Sequence, residues 1–321
     1  MNIKKILQTI KENDSFLIST HVNPDPDGLC SELALGLFLR ALGKKVSIIN
    51  EERVPKRYCF IPQVKMIKGY HSAVKNTFDV AIVLDCGELE RVGKVMGLVQ
   101  DCRTVVNIDH HITNKDFGDH NLVLPAASST SEILYDFLMA AKAKLTRDIA
   151  VNLYLGIVTD TGSFRYENTT SKTHAIISRL MQYDFCISDL YRQLYESIPL
   201  NDIQNYIKII KNFRIMYKGK VLYVTLKNKD LKSFSEHFDL KDKIFKFLRT
   251  IKGVEVVVIF VEKEDKSTRV NFRSQSHLDV AKLSSYFQGG GHKKASGCII
   301  QGNIRTAQKR VFSKIKEMLN L

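Results

Sequence analysis

Histidine and aspartate side chains stand close together in the segment HVNPDPDG, residues 21–28. His21, Asp25 and Asp27 follow directly on an apolar run that is typical of a strand. One imidazole and two carboxylates suit Mn²⁺ or Mg²⁺ better than a thiolate zinc site, because hard cations prefer oxygen ligands and imidazole binds intermediate ones. Two prolines and Gly28 turn and stiffen the segment. It therefore predicts a site for a divalent cation.

Three more polar groups end apolar segments in the same half of the chain: Asp85 after VAIVL, then Asp109, His110 and His111 after TVVNI, and Asp160 after NLYLGIVT. Any one of them alone is typical of a turn or a helix cap. If the segments form one sheet, the groups converge on one crevice, where so many carboxylates stay ionised only beside cations. A pair of divalent cations would relieve the repulsion, and such pairs serve the hydrolysis of phosphate esters.

A glycine-rich segment near the C terminus, GGGHKKASG at 289–297, predicts an anion site. Its glycines let the backbone approach a ligand and turn amides toward it, while His292, Lys293 and Lys294 add hydrogen bonds or charge. The alternative is a plain glycine turn with solvated lysines.

A parallel sheet has to position the groups of the first half. There, β-rich runs alternate with helical patterns, which predicts an α/β domain with helices on both faces of the sheet. The predicted strands are residues 16–21, 45–50, 79–86 and 104–111, and the predicted helices are 29–42, 131–144, 147–159 and 170–183. Gly43 is placed to end the first helix, the cluster at 128–130 to cap the second, and Thr146 to cap the third.

The length of 321 residues favours two domains over one. We predict a catalytic domain at 1–187, a helical connector at 188–212 and a smaller mixed α/β domain at 213–321. The predicted strands of the last are 220–226, 254–263, 268–275 and 295–300, with helices near 243–251, 279–287 and 305–319. The net charge of +14 comes almost wholly from residues beyond 187. Such asymmetry indicates an anionic ligand there, or a solvated lysine-rich surface.

Several classes of protein lack their essential parts in this sequence. The six cysteines contain no CxxC pair, so neither a zinc ribbon nor a disulfide scaffold is indicated. No segment is long and apolar enough to cross a bilayer, and we place the protein in the cytoplasm. Walker A, GxGxxG and nucleophile-elbow motifs are missing, which argues against a nucleoside triphosphatase, a Rossmann dehydrogenase and a covalent hydrolase.

The ordered motifs resemble those of the DHH phosphoesterase superfamily over essentially the whole chain. HVNPDPDG, VLDCG, NIDHH and TDTGSF are similar to its first four motifs, and GGGHKKASG, preceded by Arg273, is similar to the signature of the DHH-associated domain. In length and layout the sequence is most similar to the oligoribonuclease and pAp-phosphatase branch, the nano-RNases, and to the cyclic-di-AMP phosphodiesterases. Cys30 departs from the family, which usually has glycine there, but it removes no ligand.

The resemblance implies a phosphodiesterase with two Mn²⁺ ions, for which Mg²⁺ or Co²⁺ could substitute. It assigns Asp85 as the bridge between the ions in a set of six metal ligands: His21, Asp25, Asp27, Asp85, His110 and Asp160. His111 and Asp109 would be catalytic helpers. The substrate contacts that it implies are Arg273, Ser274, Gly289, Gly290, Gly291 and His292.

The implied substrates are short RNA oligonucleotides and linear dinucleotides such as pApA, cleaved to mononucleotides, and also pAp, cleaved to AMP. Three alternatives stay open: cyclic-di-AMP as the main substrate, a RecJ-like exonuclease acting on single strands, and a nucleotide-binding regulator without activity. The complete set of six ligands argues against the regulator. No membrane and no long duplex nucleic acid is expected as a partner, and homodimer formation is left open.

Overall fold

Residues 2–71, 77–275 and 277–320 are described in a computed structural model of the chain. They group into two units, Met1–Glu196 and Ser197–Leu321. The boundary falls within the segment 188–212, and the domain bounds drawn from the sequence stay a prediction. Among the described residues, every helix is too short or too polar to span a bilayer.

A six-stranded, fully parallel sheet forms the centre of the first unit. Its strands are β1 (Ser15–Ser19), β2 (Lys45–Asn50), β3 (Ile67–Gly69), β4 (Val80–Leu84), β5 (Thr104–Asp109) and β6 (His120–Val123). They lie in the order β3-β2-β1-β4-β5-β6, so the direction in which strands are added reverses between β1 and β4. In open sheets of this kind, ligands bind beyond the carboxyl ends of the strands at such a switch point.

Helices cover both faces of this sheet. They are α1 (Asn2–Glu12), α2 (Pro26–Ala41), α3 (Met96–Gln100), α4 (Thr130–Ala140), α5 (Arg147–Asp160), α6 (Ser171–Leu180) and α7 (Ile187–Tyr191). Short 3₁₀ helices at Lys56–Tyr58, Val64–Met66 and Leu89–Val95 and a π-helical turn at Arg192–Glu196 complete the helical elements. The predicted caps are confirmed, because Ser129 accepts a hydrogen bond from the amide of Glu132, and Thr146 accepts one from that of Ile149.

The alternation of side chains along the strands divides the core of this unit in two. Phe16 and Ile18 of β1 face a large cluster formed with α1, α2, α4, α5 and α6. Leu17 faces a smaller cluster on the other side, formed with α3 and the 3₁₀ helix Leu89–Val95. Cys30 is fully buried in the large cluster. Because both faces of the sheet are covered, the apolar residues are continuous over 16–18 in β1 and over all of β4.

The second unit contains a mixed six-stranded sheet in the order β11-β12-β10-β9-β8-β7. The strands are β7 (Arg214–Met216), β8 (Val221–Leu226), β9 (Val256–Glu262), β10 (Thr268–Ser274), β11 (Gly290–His292) and β12 (Ala295–Ile300). The helices are α8 (Leu200–Ile210), α9 (Asn228–Lys232), α10 (Leu240–Leu248), α11 (Val280–Ser285) and α12 (Ile304–Met318), with a 3₁₀ helix at Tyr217–Gly219. One face of the sheet packs against α10, and the other packs against α11 and α12.

The α/β class is confirmed, with a parallel sheet in the first unit and a mixed sheet in the second. Three predicted strands of the first unit end two residues earlier than expected, at Ser19, Leu84 and Asp109. The loops that follow therefore contain His21, Asp85, His110 and His111. Helix α1 and the short strands β3, β6, β7 and β11 were not predicted from the sequence. Strands of three or four residues are too short for a recognisable alternation, and pairing with a neighbour defines them.

Candidate metal centre

Asp85 lies at the centre of the candidate site, directly after β4. Its side chain is buried, and its backbone has φ 53°, in the left-handed region. Residues other than glycine adopt this conformation at a cost in free energy, and those that do are concentrated at functional sites. The two carboxylate oxygens face different histidines. Oδ2 lies 3.6 Å from Nε2 of His21, and Oδ1 lies 3.5 Å from Nε2 of His110. One carboxylate therefore links groups that follow β1 and β5, the two neighbours of β4.

The loop between β1 and α2 contributes His21 and Asp25. Nδ1 of His21 lies 2.8 Å from the carbonyl oxygen of Val22, and this contact leaves Nε2 to face Asp85. Asp25 caps α2, since its Oδ1 accepts hydrogen bonds from the amides of Asp27 and Gly28 at 3.0 and 3.2 Å. Donor atoms of His21, Asp25 and Asp85 all lie within 4.8 Å of one another, a spacing that could hold one metal ion.

A second donor group combines Asp27, His110 and Asp160, whose donor atoms also lie within 4.8 Å of one another. Asp27 is in the first turn of α2, and its two oxygens accept hydrogen bonds from the amides of Thr130 and Ser131 at 2.7 and 3.0 Å. Asp160 is the last residue of α5, which packs against α2. Its Oδ2 lies 3.5 Å from Nε2 of His110, the same nitrogen that faces Asp85, so the two donor groups adjoin.

Asp109 and His111 form a pair beside these groups, and donor atoms of His111, Asp85 and His110 also lie within 4.8 Å of one another. Asp109 is fully buried at the end of β5, and its Oδ1 accepts a hydrogen bond from Nδ1 of His111 at 2.7 Å. Asn114 donates to Oδ2 at 2.6 Å. Burial opposes ionisation, but these two donors hold the pKa of Asp109 below its usual range. Nδ1 of His111 also lies 3.7 Å from Oδ1 of Asp85, so the pair reaches the shared carboxylate.

The electrostatics of the cluster call for compensating positive charge. Burial, reinforced by neighbouring aspartates, raises the pKa of Asp27 to about 7 and the pKa of Asp160 well above its usual range. Burial disfavours charge on His21 and His110, yet the surrounding carboxylates outweigh it and raise the pKa of each to about 9. These histidines in turn hold the pKa of Asp85 low despite its burial. Carboxylate oxygens and imidazole nitrogens in this arrangement fit divalent ions of the Mn²⁺ type.

The groups that position the donors were not predicted from the sequence. Thr130 donates its amide to Asp27 and its hydroxyl to Oδ1 of Asp85 at 3.1 Å, and Asn114 holds Asp109. The run of hydroxyl residues at 128–130 was interpreted as a helix cap alone. Its members are fully buried in the fold. Three consecutive hydroxyl residues are more than one helix cap requires, and this was the signal in the sequence for a further role.

In the second unit, Arg273 and Ser274 end β10. Arg273 is partly buried, with Cζ 4.8 Å from the centre of the Phe245 ring in α10, and it donates from Nη1 to the carbonyl oxygen of Phe272. Ser274 is buried, and its amide donates to the carbonyl oxygen of Lys294 at 2.9 Å. The two residues thus stand beside the segment GGGHKKASG.

The three glycines of that segment differ in their surroundings. A Cβ at Gly289 would lie 2.3 Å from the carbonyl oxygen of Gly297, and one at Gly291, which has φ 136°, would lie 2.6 Å from a carbonyl oxygen of β12. Close pairing of β11 with β12 therefore explains glycine at these two positions. Around Gly290 the space is open, which leaves room for a ligand. His292 is the last residue of β11, and its side chain lies outside the described part of the chain.

Comparison with known proteins places the chain among phosphoesterases. The family model "DHH family, N-terminal domain" matches residues 15–157, and "DHHA1 domain" matches residues 218–317. The bifunctional oligoribonuclease and PAP phosphatase NrnA of Bacillus subtilis is 30% identical over 304 residues, which cover 92% of each chain. A protein of Streptococcus mutans named "Probable bifunctional oligoribonuclease and PAP phosphatase NrnA" is 33% identical over 300 residues, again 92% of each.

A solved structure shares the fold. The exopolyphosphatase-related protein from Bacteroides fragilis superposes with a TM-score of 0.92 at 24% identity, covering 100% of this chain and 98% of that one. Similarity to curated phosphoesterases extends over nearly the full length, and the four N-terminal motifs surround one donor cluster. The chain therefore belongs to the DHH family of phosphoesterases, and it is a hydrolase that acts on phosphate ester bonds.

Proposed function

We propose that this hydrolase is a two-cation phosphodiesterase that cleaves short RNA oligonucleotides and linear dinucleotides such as pApA to mononucleotides, and pAp to AMP. The observation that supports it best is the placement of Asp85, whose two oxygens face His21 and His110 in adjoining donor groups. The relatives named oligoribonuclease and PAP phosphatase support the substrate class.

The proposed cation ligands follow from the two donor groups. His21, Asp25 and Asp85 would hold one ion, and Asp27, His110 and Asp160, together with Asp85, would hold the other. We propose Mn²⁺ as the ion, with Mg²⁺ or Co²⁺ as substitutes. When bound, two such cations supply Lewis acidity toward the phosphate and neutralise the charge that develops on it.

The proposed roles of Asp109 and His111 follow from their hydrogen bond. An ionised carboxylate only accepts, so Asp109 fixes the proton of His111 on Nδ1. Nε2 is then the ring atom that can exchange a proton with an oxygen of the substrate.

The second unit would bind a phosphate group of the substrate through Arg273, Ser274, the backbone of Gly289, Gly290 and Gly291, and His292. Its charges support an anionic ligand. Burial lowers the pKa of Arg273, with Asp242 acting against this shift and Arg249 in the same direction. Burial, followed by Arg269 and Arg273, lowers the pKa of Lys241 despite the nearby Asp239. Cations held this close to one another destabilise each other's charge, and an anion relieves that cost.

One substrate panel tests the proposal. The purified protein is incubated with pApA, a short RNA, a long single strand, pAp, cyclic-di-AMP and pyrophosphate, with MnCl₂ or with excess EDTA, and products are separated by ion-exchange chromatography. We expect Mn²⁺-dependent cleavage of pApA, short RNA and pAp, and none by Asp85→Asn. Asp101→Asn, an exposed aspartate away from the centre, is the control. Full activity in EDTA or in Asp85→Asn would refute the two-cation proposal. Preferred cleavage of cyclic-di-AMP or of the long strand would refute the proposed substrate class.

A further inference from the structure

Asn168 lies in the loop between α5 and α6 and links two parts of the candidate centre. Its Nδ2 donates one hydrogen bond to the carbonyl oxygen of Ser128 at 2.8 Å and a second to the carbonyl oxygen of Asp160 at 3.2 Å. Both acceptors are backbone groups, and 40 and 8 residues separate them from Asn168. A single amide group therefore ties the end of α5 to the segment that precedes α4.

Each of these carbonyl groups belongs to a segment that carries or holds cation donors. Asp160 is itself a donor at the last position of α5. Ser128 precedes the start of α4, where the amide of Thr130 donates to Asp27 and the hydroxyl of Thr130 donates to Asp85. The hydrogen bonds of Asn168 thus act on the relative positions of three aspartates that come from three distant parts of the chain.

Only a hydrogen-bond donor can serve at this position, because both partners are carbonyl oxygens. Among the described residues, Oδ1 of Asn168 is buried and has no hydrogen-bond partner. The contribution of the side chain therefore comes from its NH₂ group. Removal of that group leaves two carbonyl oxygens, one of them from the fully buried Ser128, without this donor, and the end of α5 loses its link to the segment before α4.

We propose that Asn168 is a positioning residue of the candidate metal centre, which keeps Asp160 in place against the α4 start that holds Asp27 and Asp85. The inference rests on the proposed two-cation centre. Outer hydrogen bonds of this kind orient metal ligands, and their loss typically lowers metal affinity about 10- to 100-fold.

Asn152 provides a matched control in α5, the helix that precedes the loop of Asn168. It lies in α5, its Nδ2 also donates to two backbone carbonyl oxygens, those of Asp148 and Pro62, at 2.8 and 3.3 Å, and its Oδ1 is likewise buried without a partner among the described residues. It stands eight residues before Asp160, about 12 Å along the helix. Its loss should disturb packing to a similar degree without reaching the donors.

The test is calorimetric titration of the metal-free full-length protein with MnCl₂ alone, for wild type, Asn168→Ala, Asn168→Leu and Asn152→Ala, each checked for cooperative thermal unfolding. We expect about tenfold weaker Mn²⁺ binding by both Asn168 variants and wild-type affinity for Asn152→Ala. Leucine fills the volume of asparagine, so Asn168→Leu decides the question if the alanine variant does not fold. Unchanged affinity in the folded Asn168 variants, or an equal loss in Asn152→Ala, would overturn the inference. A wild type that binds no Mn²⁺ would instead refute the proposed centre and, with it, this role.

Discussion

Nδ1 of His111 donates to Oδ1 of Asp109 across 2.7 Å, and this carboxylate is fully buried at the end of β5. Two further groups hold this carboxylate, because Asn114 donates to its other oxygen at 2.6 Å and the amide of His110 donates to Oδ1 at 2.8 Å. The ring of His111 is therefore oriented before any ligand binds. A proton-transfer group that is already oriented needs little reorganisation during the reaction, so little free energy is spent on it.

Asp109→Asn should lower kcat for pApA by about 10²–10⁴-fold, because an amide in place of the carboxylate no longer fixes the tautomer of His111. Mn²⁺ affinity should change less than kcat, since Asp109 belongs to neither donor group. Steady-state kinetics and MnCl₂ titration measure the two effects. Asp116→Asn, an exposed aspartate in the following loop, is the control. A variant that keeps wild-type kcat would exclude a role of this pair in proton transfer.

Glu32→Gln should change how stability depends on pH. Glu32 is fully buried in α2, its Oε2 accepts a hydrogen bond from Nδ2 of Asn50 at 2.9 Å, and burial raises its pKa to about 8. An unfolded glutamate has a pKa of about 4.3. Between these values the folded state holds a proton that the unfolded state has lost, so stability falls as pH rises and levels off above about 8.

Glutamine stays neutral and removes this dependence. Chemical denaturation of the EDTA-treated proteins measures the free energy of unfolding at each pH. The difference between Glu32→Gln and wild type should shift in favour of the variant by on the order of a few kcal/mol from pH 5 to pH 8. The difference between the two proteins isolates Glu32 from the other carboxylates, which titrate in both. Parallel stability curves would show that Glu32 is ionised in the folded protein.

Gly291→Ala should destabilise the second unit, whereas Gly290→Ala should not. Gly291 has φ 136°, and a Cβ there would lie 2.6 Å from a carbonyl oxygen of β12, while a Cβ at Gly290 meets open space. We expect a loss of about 1–3 kcal/mol for the first variant, the usual cost of a strained backbone position. Chemical denaturation of both full-length variants provides the measurement. Equal stability of the two would mean that β11 does not pair with β12 as described.

Arg273→Ala should raise KM for pApA about 10- to 100-fold, the range expected for the loss of hydrogen bonds to a charged group. If the contact is equally strong in the ground state and the transition state, kcat should change little. Arg305→Ala is the control, because Arg305 is exposed in α12, which packs on the face of the sheet opposite α10. A KM that rises equally in both variants would indicate general attraction by the basic surface and no specific phosphate site.

The sequence by itself determined where the donors stand along the chain. Asp85 and Asp109 each come at the end of an apolar run long enough to be a buried strand, and His21 follows such a run closely. Because the carboxyl ends of parallel strands meet at one edge of a sheet, this local pattern predicts that the three converge. The starts of α4 and α5 were predictable for a similar reason, since a capping hydrogen bond spans only three residues.

The partners of the donors were decided by the tertiary structure alone. Thr130 is separated from Asp27 by 103 residues and from Asp85 by 45, so no local pattern connects them. Glu32 stands in a helix where a carboxylate would usually face water, yet it is buried against Asn50 from β2. A buried polar group needs a hydrogen-bond partner, and the fold brings that partner from any distance along the chain, which is why sequence patterns cannot identify it.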